Sequence, residues 1–527
     1  MRKLLMASAA ILGASGGLAF AQTPVANPAQ GQFAAPYGAG PAANNNNNSW
    51  GIANTPSGSA AAGPLSALNP PNTDAVPAPG TVVIRLNGRV EVDVAATYAT
   101  GMSGVTATGA SNGYKVNPIG IGSYMRLYPA FDGKAANGLR YGASIELREN
   151  FNSGVFTGSQ TSTIATTATA TSPSGNTSAQ TVFVRRAFTY IASDQLGLVR
   201  LGQTDGVIGL FDPCIFTTQC WDAGIGNFNG GANQSFGPQG GPLAVPFVWL
   251  AQAGADYANQ KIVYLSPQYF GFDFGVQYAP SMGNAEQYGG VGVGCNEASA
   301  SCIGLTSGND ATRWFNQVGL GLRYQQNFGP VDFKAYGFWE TAGKENLTTN
   351  AYATTAQARV GTAVTVGGTT FTPSAQNVHY DNLNFYKAGV AVTALNTTLA
   401  ADYIGGDVNG QLSMRPTGGA PTNAVLTGVT YANGPITLGA EIGLIDTQGD
   451  ARLVGISQRH EYEVAFGGNY KVAPGLQLVG EYMYMHRHQG GYDFGNATIG
   501  AGATATSAGV TRDGQSQSFV LSTVLTW

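Results

Sequence analysis

The chain has 527 residues, of which 10% are charged, and a net charge of −4. Soluble domains carry about 25% charged residues, so the length does not describe two or three ordinary soluble domains, and no basic cluster exists to bind nucleic acid. No stretch beyond the first twenty residues is long and apolar enough for a spanning helix, whereas 75 Gly, 24 Tyr and 24 Phe suit a transmembrane β-barrel, whose signal is weak in each segment but repeated.

In chain order, residues 1–21 read as a secretory signal peptide. Arg2 and Lys3 form the positive end, Leu4 to Leu18 is apolar and small, and Ala19-Phe20-Ala21 is a cleavage site before Gln22. Residues 22–80 are biased toward Pro, Ala, Gly, Ser and Asn, with Asp74 the single charge. Such a segment buries too little apolar surface to offset its ordering entropy, so a disordered periplasmic extension is expected.

The barrel is expected over residues 81–527. Arg85, Asn87, Arg89, Glu91 and Asp93 take odd positions, while Leu86, Val90, Val92, Val94, Ala96 and Tyr98 take even ones. A helix would mix the two sets on one face; a strand separates them. The second strand, about Ile119 to Ala130, opposes Ile121, Met125 and Leu127 to Arg126, and a turn over Asp132 to Gly138 leads to the third. There Leu139, Tyr141, Ala143, Ile145 and Leu147 oppose Arg140, Ser144, Glu146 and Arg148. A long loop, Phe151 to Gln180, precedes strand four, and Ser193 to Gly197 turns into strand five.

Gly206 to Ala255 then interrupts the series without a Lys or Arg. A connection this long is usually functional or disordered, and the expectation is a loop folded back into the lumen. Further strand pairs surround Ser266-Pro267-Gln268, Asn327 to Pro330, Asn396-Thr397, Asn433-Gly434-Pro435 and Ala473-Pro474-Gly475, and the chain closes on alternating Phe519, Leu521, Thr523, Leu525 and Trp527. Short Gly/Pro/Asn turns alternate with long Ser/Thr/Gly/Asn loops, as turn chemistry requires. The reading is an all-β, transmembrane antiparallel β-barrel of about sixteen strands, seven turns and eight loops. An open sheet edge is not viable in hydrocarbon, and closure of about sixteen strands leaves an aqueous channel.

Four cysteines form two close pairs, Cys214/Cys220 and Cys295/Cys302. An oxidising compartment and an even count favour two local disulfides. Neither pair has metal-site spacing, and no metal or cofactor is expected.

The stretch from Thr81 to Trp527 resembles the Gram-negative general porins of the sixteen-stranded trimeric kind. Val83 to Val90 resembles their first strand, Arg185 to Tyr190 through Gly197 to Gln203 the segment entering the third loop, and Phe519 to Trp527 the final strand, which more often ends in Phe. The resemblance implies the outer membrane of a Gram-negative bacterium, contact with its lipid, a homotrimer and an inward third loop. It also implies passive diffusion of ions and small hydrophilic solutes, and recognition of the final strand by the barrel-assembly machinery.

Alternation places Arg85, Arg89, Arg126, Arg140, Arg148 and Arg200 on the lumen side, and of the adjacent Arg185 and Arg186 it favours Arg185. Asp205, Asp212 and Asp222 would face them from the third loop across a constriction. Charges about 8 Å apart in water interact by roughly 0.5 kcal/mol, enough to orient a passing solute without holding it. His486-Arg487-His488 reads as a solvated strand end rather than a metal site. A substrate-selective channel, for sugars or small organic acids, is the alternative, since Phe211, Phe216, Trp221, Phe247 and Trp249 lie in the third loop. An enzyme is not expected: a barrel hydrolase needs an outward Ser–His pair, and no strand clearly offers one. A structural barrel would need a plugged lumen.

Overall fold

Alternation forces a two-faced strand wherever it persists, and it persists along nearly the whole chain. The computed structural model describes residues 79–99, 103–105, 111–115, 119–150, 183–193, 196–204, 206–208, 259–267, 270–281, 314–344, 364–366, 369–371, 381–409, 415–450, 453–473, 475–493, 498–499 and 513–527. The expected signal peptide, nearly all of the 22–80 extension, all four cysteines, and the third loop beyond Ile208 lie outside these residues.

The first strands are β1 (Thr81–Ala99), β2 (Ser103–Val105), β3 (Ser111–Lys115), β4 (Ile119–Lys134), β5 (Arg140–Asn150), β6 (Phe183–Ser193) and β7 (Gly197–Thr204). After the third loop come β8 (Asn259–Leu265), β9 (Phe272–Ser281), β10 (Trp314–Phe328), β11 (Val331–Lys344), β12 (Val364–Val366) and β13 (Thr369–Phe371). The last are β14 (Leu383–Ala394), β15 (Thr397–Asp407), β16 (Thr422–Asn433), β17 (Ile436–Thr447), β18 (Arg459–Ala473), β19 (Leu476–Gln489), β20 (Tyr492–Asp493), β21 (Thr498–Ile499) and β22 (Asp513–Thr526).

Among the described residues, sixteen of these strands form one closed antiparallel barrel, in the order β1-β22-β19-β18-β17-β16-β15-β14-β11-β10-β9-β8-β7-β6-β5-β4. The pairs β2–β3, β12–β13 and β20–β21 are small separate hairpins within the long connections. Closure is made by β1, which pairs with β4 on one side and β22 on the other. The seam is finished by Trp527: its N–H donates to the Gly88 carbonyl and the Gly88 N–H donates back, each at 3.1 Å. A Cβ on Gly88 would lie 2.1 Å from the Trp527 ring, so only glycine lets the indole lie across the outer face of β1.

Two-residue turns sit at one end. Leu395 and Asn396 both have positive φ between paired Ala394 and Thr397, the arrangement of a type I′ hairpin. Gly329 and Gly434, each followed by Pro, have φ of 64° and 57°. One strand runs longer than its sequence suggests: β4 continues through Pro129 to Lys134. Its ladder to β5 passes from Leu127–Leu147 to Ala130–Ser144, stepping over the proline, which has no N–H to give.

The faces are inverted relative to a soluble protein. Ile84, Leu86, Ile121, Leu322, Leu444 and Leu521 are exposed, Ile84 by 80%, while Asp93, Glu146, Arg200, Arg323, Glu340 and Glu463 on the alternate face are buried. Aromatic rings gather toward both ends of the outer face. Phe131–Tyr141 (6.1 Å) and Phe272–Tyr324–Phe333 (4.5 and 6.1 Å) lie toward the turns, and Tyr386–Tyr403 and Tyr462–Tyr484 (5.8 Å each) toward the loops. Exposed Leu320, Leu322, Ile442 and Val464 fill the band between. At the loop end the polar tips are tied down: Tyr278 donates to Asn316, Trp339 Nε1 to Asn384 and Tyr403 to Asn423, at 2.7–2.8 Å. An aliphatic band between aromatic girdles is what a bilayer solvates.

Candidate functional site

The inner wall of the barrel is the candidate site, because it carries most of the buried charge among the described residues. Its first sector, β1 to β7, brings arginine positions together by backbone register. Register places Arg89 beside Arg126, and Arg126 beside Arg148, on three successive strands, β1, β4 and β5. Arg85 is opposite Ala130, and Arg140 is between Lys134 and Ala192. Arg140 and Arg200 are buried, and Arg200 stacks its guanidinium 4.7 Å over the Phe188 ring. Tyr190 donates to Asp132 on the same wall.

On β6 it is Arg186 that stands opposite Glu146. The register then shifts to Leu147–Val184 and skips Arg185, the signature of a bulge, which strict alternation cannot anticipate. Asp205, Asp212 and Asp222 lie outside the described residues. The described start of the third loop, Gly206 to Ile208, is buried, and the Val207 N–H donates to the Gln277 side chain on the inner face of β9. The loop therefore begins by turning inward.

A second sector, β9 to β15, carries charges in matched pairs. Arg323 grips Asp273 with Nε at 3.1 Å and a second, terminal nitrogen. Lys334 is 3.4 Å from Asp332. Lys387 is 3.6 Å from Asp402 and 5.4 Å above the Tyr336 ring. Glu340 accepts from both Gln277 and Gln317. A Cβ on Gly389 would meet Asp402 Oδ1 at 2.0 Å, so the glycine is what admits that carboxylate. Burial of such ions is tolerable only because each finds a partner of opposite sign or a donor.

A third sector, β17 to β19, is acidic. Glu441, Glu461, Glu463 and Glu481 are all buried there. Arg487 Nε stands 2.7 Å from Glu461 Oε1. Arg487 is fully buried, which corrects its reading as part of a solvated strand end. Its neighbours His486 and His488 do face outward, both toward Asp513, at 3.5 and 2.8 Å. In the strand order only β22 separates this sector from the first one. The acidic sector was missed in the sequence. Glu461 and Glu463 alternate visibly in β18, but Glu441 and Glu481 join them only through the register of β17 and β19.

What such a wall can do is electrostatic. Among the described residues no group of three or more His, Cys, Asp or Glu could hold a metal ion. Charges of opposite sign set around a lumen filter and orient what passes.

The family model described as Gram-negative porin matches residues 51–490. That span begins inside the expected extension and stops before β22. Among solved structures, the chain is similar to the anion-selective porin from Comamonas acidovorans (14% identity, TM-score 0.45, covering 85% of this chain and 100% of that one). It is also similar to an OmpF–daunomycin complex from Salmonella typhi (11%, 0.44, 84% and 97%). A third is OmpT of Vibrio cholerae in its trimer form (12%, 0.43, 85% and 100%). No curated protein matches the sequence.

Proposed function

The chain belongs to the Gram-negative porin family, and from that premise we propose that ions and small hydrophilic solutes cross its lumen by passive diffusion between the arginine-bearing and acidic sectors. It is an outer-membrane porin, a channel for small solutes. The observation that carries the finer reading is the inversion of faces: aliphatic residues exposed outside, charged residues buried inside. In water an apolar surface that size would drive aggregation; in a bilayer it is the solvated face.

The remaining parts of the proposal rest on sequence. Asp205, Asp212 and Asp222 narrow the lumen opposite Arg140 and Arg200, a reading supported by the inward start of the third loop. Cys214–Cys220 and Cys295–Cys302 form local disulfides, and residues 1–21 are cleaved before Gln22. The barrel is a homotrimer, with outer-face residues of β1 and β22 in its contact; Val92 beside Thr523 and Val94 beside Leu521 offer a close-packing strip. The final strand ending in Trp527 addresses the barrel-assembly machinery.

Planar-bilayer recording of the purified protein tests the channel. Stepwise, ohmic current increments are expected in KCl. Protein that inserts with native heat-modifiable gel mobility and yields no steps would overturn it.

A further inference from the structure

Most buried charges on the inner wall have a partner, and Glu463 does not. It is 0% exposed, and neither carboxylate oxygen has a hydrogen-bond partner. Its electrostatic neighbours are Glu441, Arg487 and Glu461, two like charges and one opposite. That single cation is already engaged, because Arg487 lies 2.7 Å from Glu461. The register partners of Glu463 are Gly443, which has no side chain, and Met485, which is unbranched and adaptable. Glu463 is therefore short of one positive charge and of hydrogen-bond donors, and what borders it can give way.

A buried carboxylate left without donors is strongly disfavoured, so a group supplying both charge and N–H bonds is the matching ligand. A chelated metal does not fit, since no metal-holding group of His, Cys, Asp or Glu is formed among the described residues. We propose that the β17–β19 wall holds a binding site for cationic amines, solutes bearing a primary ammonium or guanidinium group, centred on Glu463 and flanked by Glu441. The ammonium donates to the Glu463 oxygens, and the rest of the solute stays in the lumen. The proposal rests on the porin reading and adds a solute class to it.

The probe is putrescine, added to single channels in KCl, with sodium chloride of equal ionic strength and a neutral diol of the same length as controls. Putrescine should reduce the current saturably, and neither control should. In Glu463→Gln the half-blocking concentration should rise about tenfold, as expected for losing one charge-assisted hydrogen bond. Glu441→Gln should raise it less. An unchanged half-blocking concentration in both variants overturns the site, as does block by sodium chloride equal to that by putrescine. Isothermal titration of putrescine into detergent-solubilised protein reads the same site without current. A protein that binds the amine with the expected variant dependence but never conducts would refute the channel and keep the site. A conducting protein with no amine binding would do the reverse. If Glu463→Gln fails to fold, Glu441→Gln carries the same comparison in both assays.

Discussion

The wall from β9 to β15 and the wall from β17 to β19 both bury charged residues, yet they are built on different terms. In the first, Asp273 meets Arg323, Asp402 meets Lys387 and Asp332 meets Lys334. In the second, four buried glutamates stand on three strands, Arg487 is held by Glu461, and Glu463 has no hydrogen-bond partner. The difference teaches that burial alone does not say what a lumen charge is for. A matched pair cancels at a distance and holds the wall together; a cluster of like charges projects a field into the space where ions move.

Breaking a matched pair should give the largest effect on stability. Asp273→Ala strands the Arg323 guanidinium and should cost roughly 3–5 kcal/mol, read as an earlier urea midpoint for barrel unfolding in lipid bilayers. Glu441→Gln, in the acidic sector, should shift that midpoint less. Next comes the outer face of the same paired wall, since β10 carries Arg323 inward and Leu320 outward. Leu320→Arg would put a cation against lipid at about mid-bilayer and should cost about 2–4 kcal/mol. An unshifted midpoint would mean that this face does not meet hydrocarbon. The smallest effect is at the rim, where Asn384→Ala removes the acceptor of Trp339 Nε1 and should cost about 1 kcal/mol.

Much of this was legible in the sequence, because side-chain alternation and turn chemistry are local. The outward Leu, Val and aromatic set, the inward arginines of β5 and β7, and the Gly-Pro and Asn turns are readable within ten residues of themselves. The misreadings have a common physical origin. The second strand reads as ending near Ala130, but it runs on to Lys134 over residues that read as a turn. Arg487 reads as solvated beside two histidines, but strand parity sends it to the face opposite theirs, against Glu461. The acidic sector depends on the pairing register of β17, β18 and β19, which no single strand's pattern states.

The central claim is that the acidic sector, not the one of opposite-charge pairs, sets the ionic preference of the lumen. Reversal potential across a KCl gradient tests it on two double variants, Glu441→Gln with Glu481→Gln and Lys387→Gln with Asp402→Asn. Loss of the two glutamates should move the reversal potential toward anion preference, while loss of the matched pair should leave it near wild type. The glutamate effect should shrink as the Debye length falls from about 10 Å at 0.1 M salt to about 3 Å at 1 M. Equal shifts in the two variants, or a larger shift from the matched pair, would contradict the account.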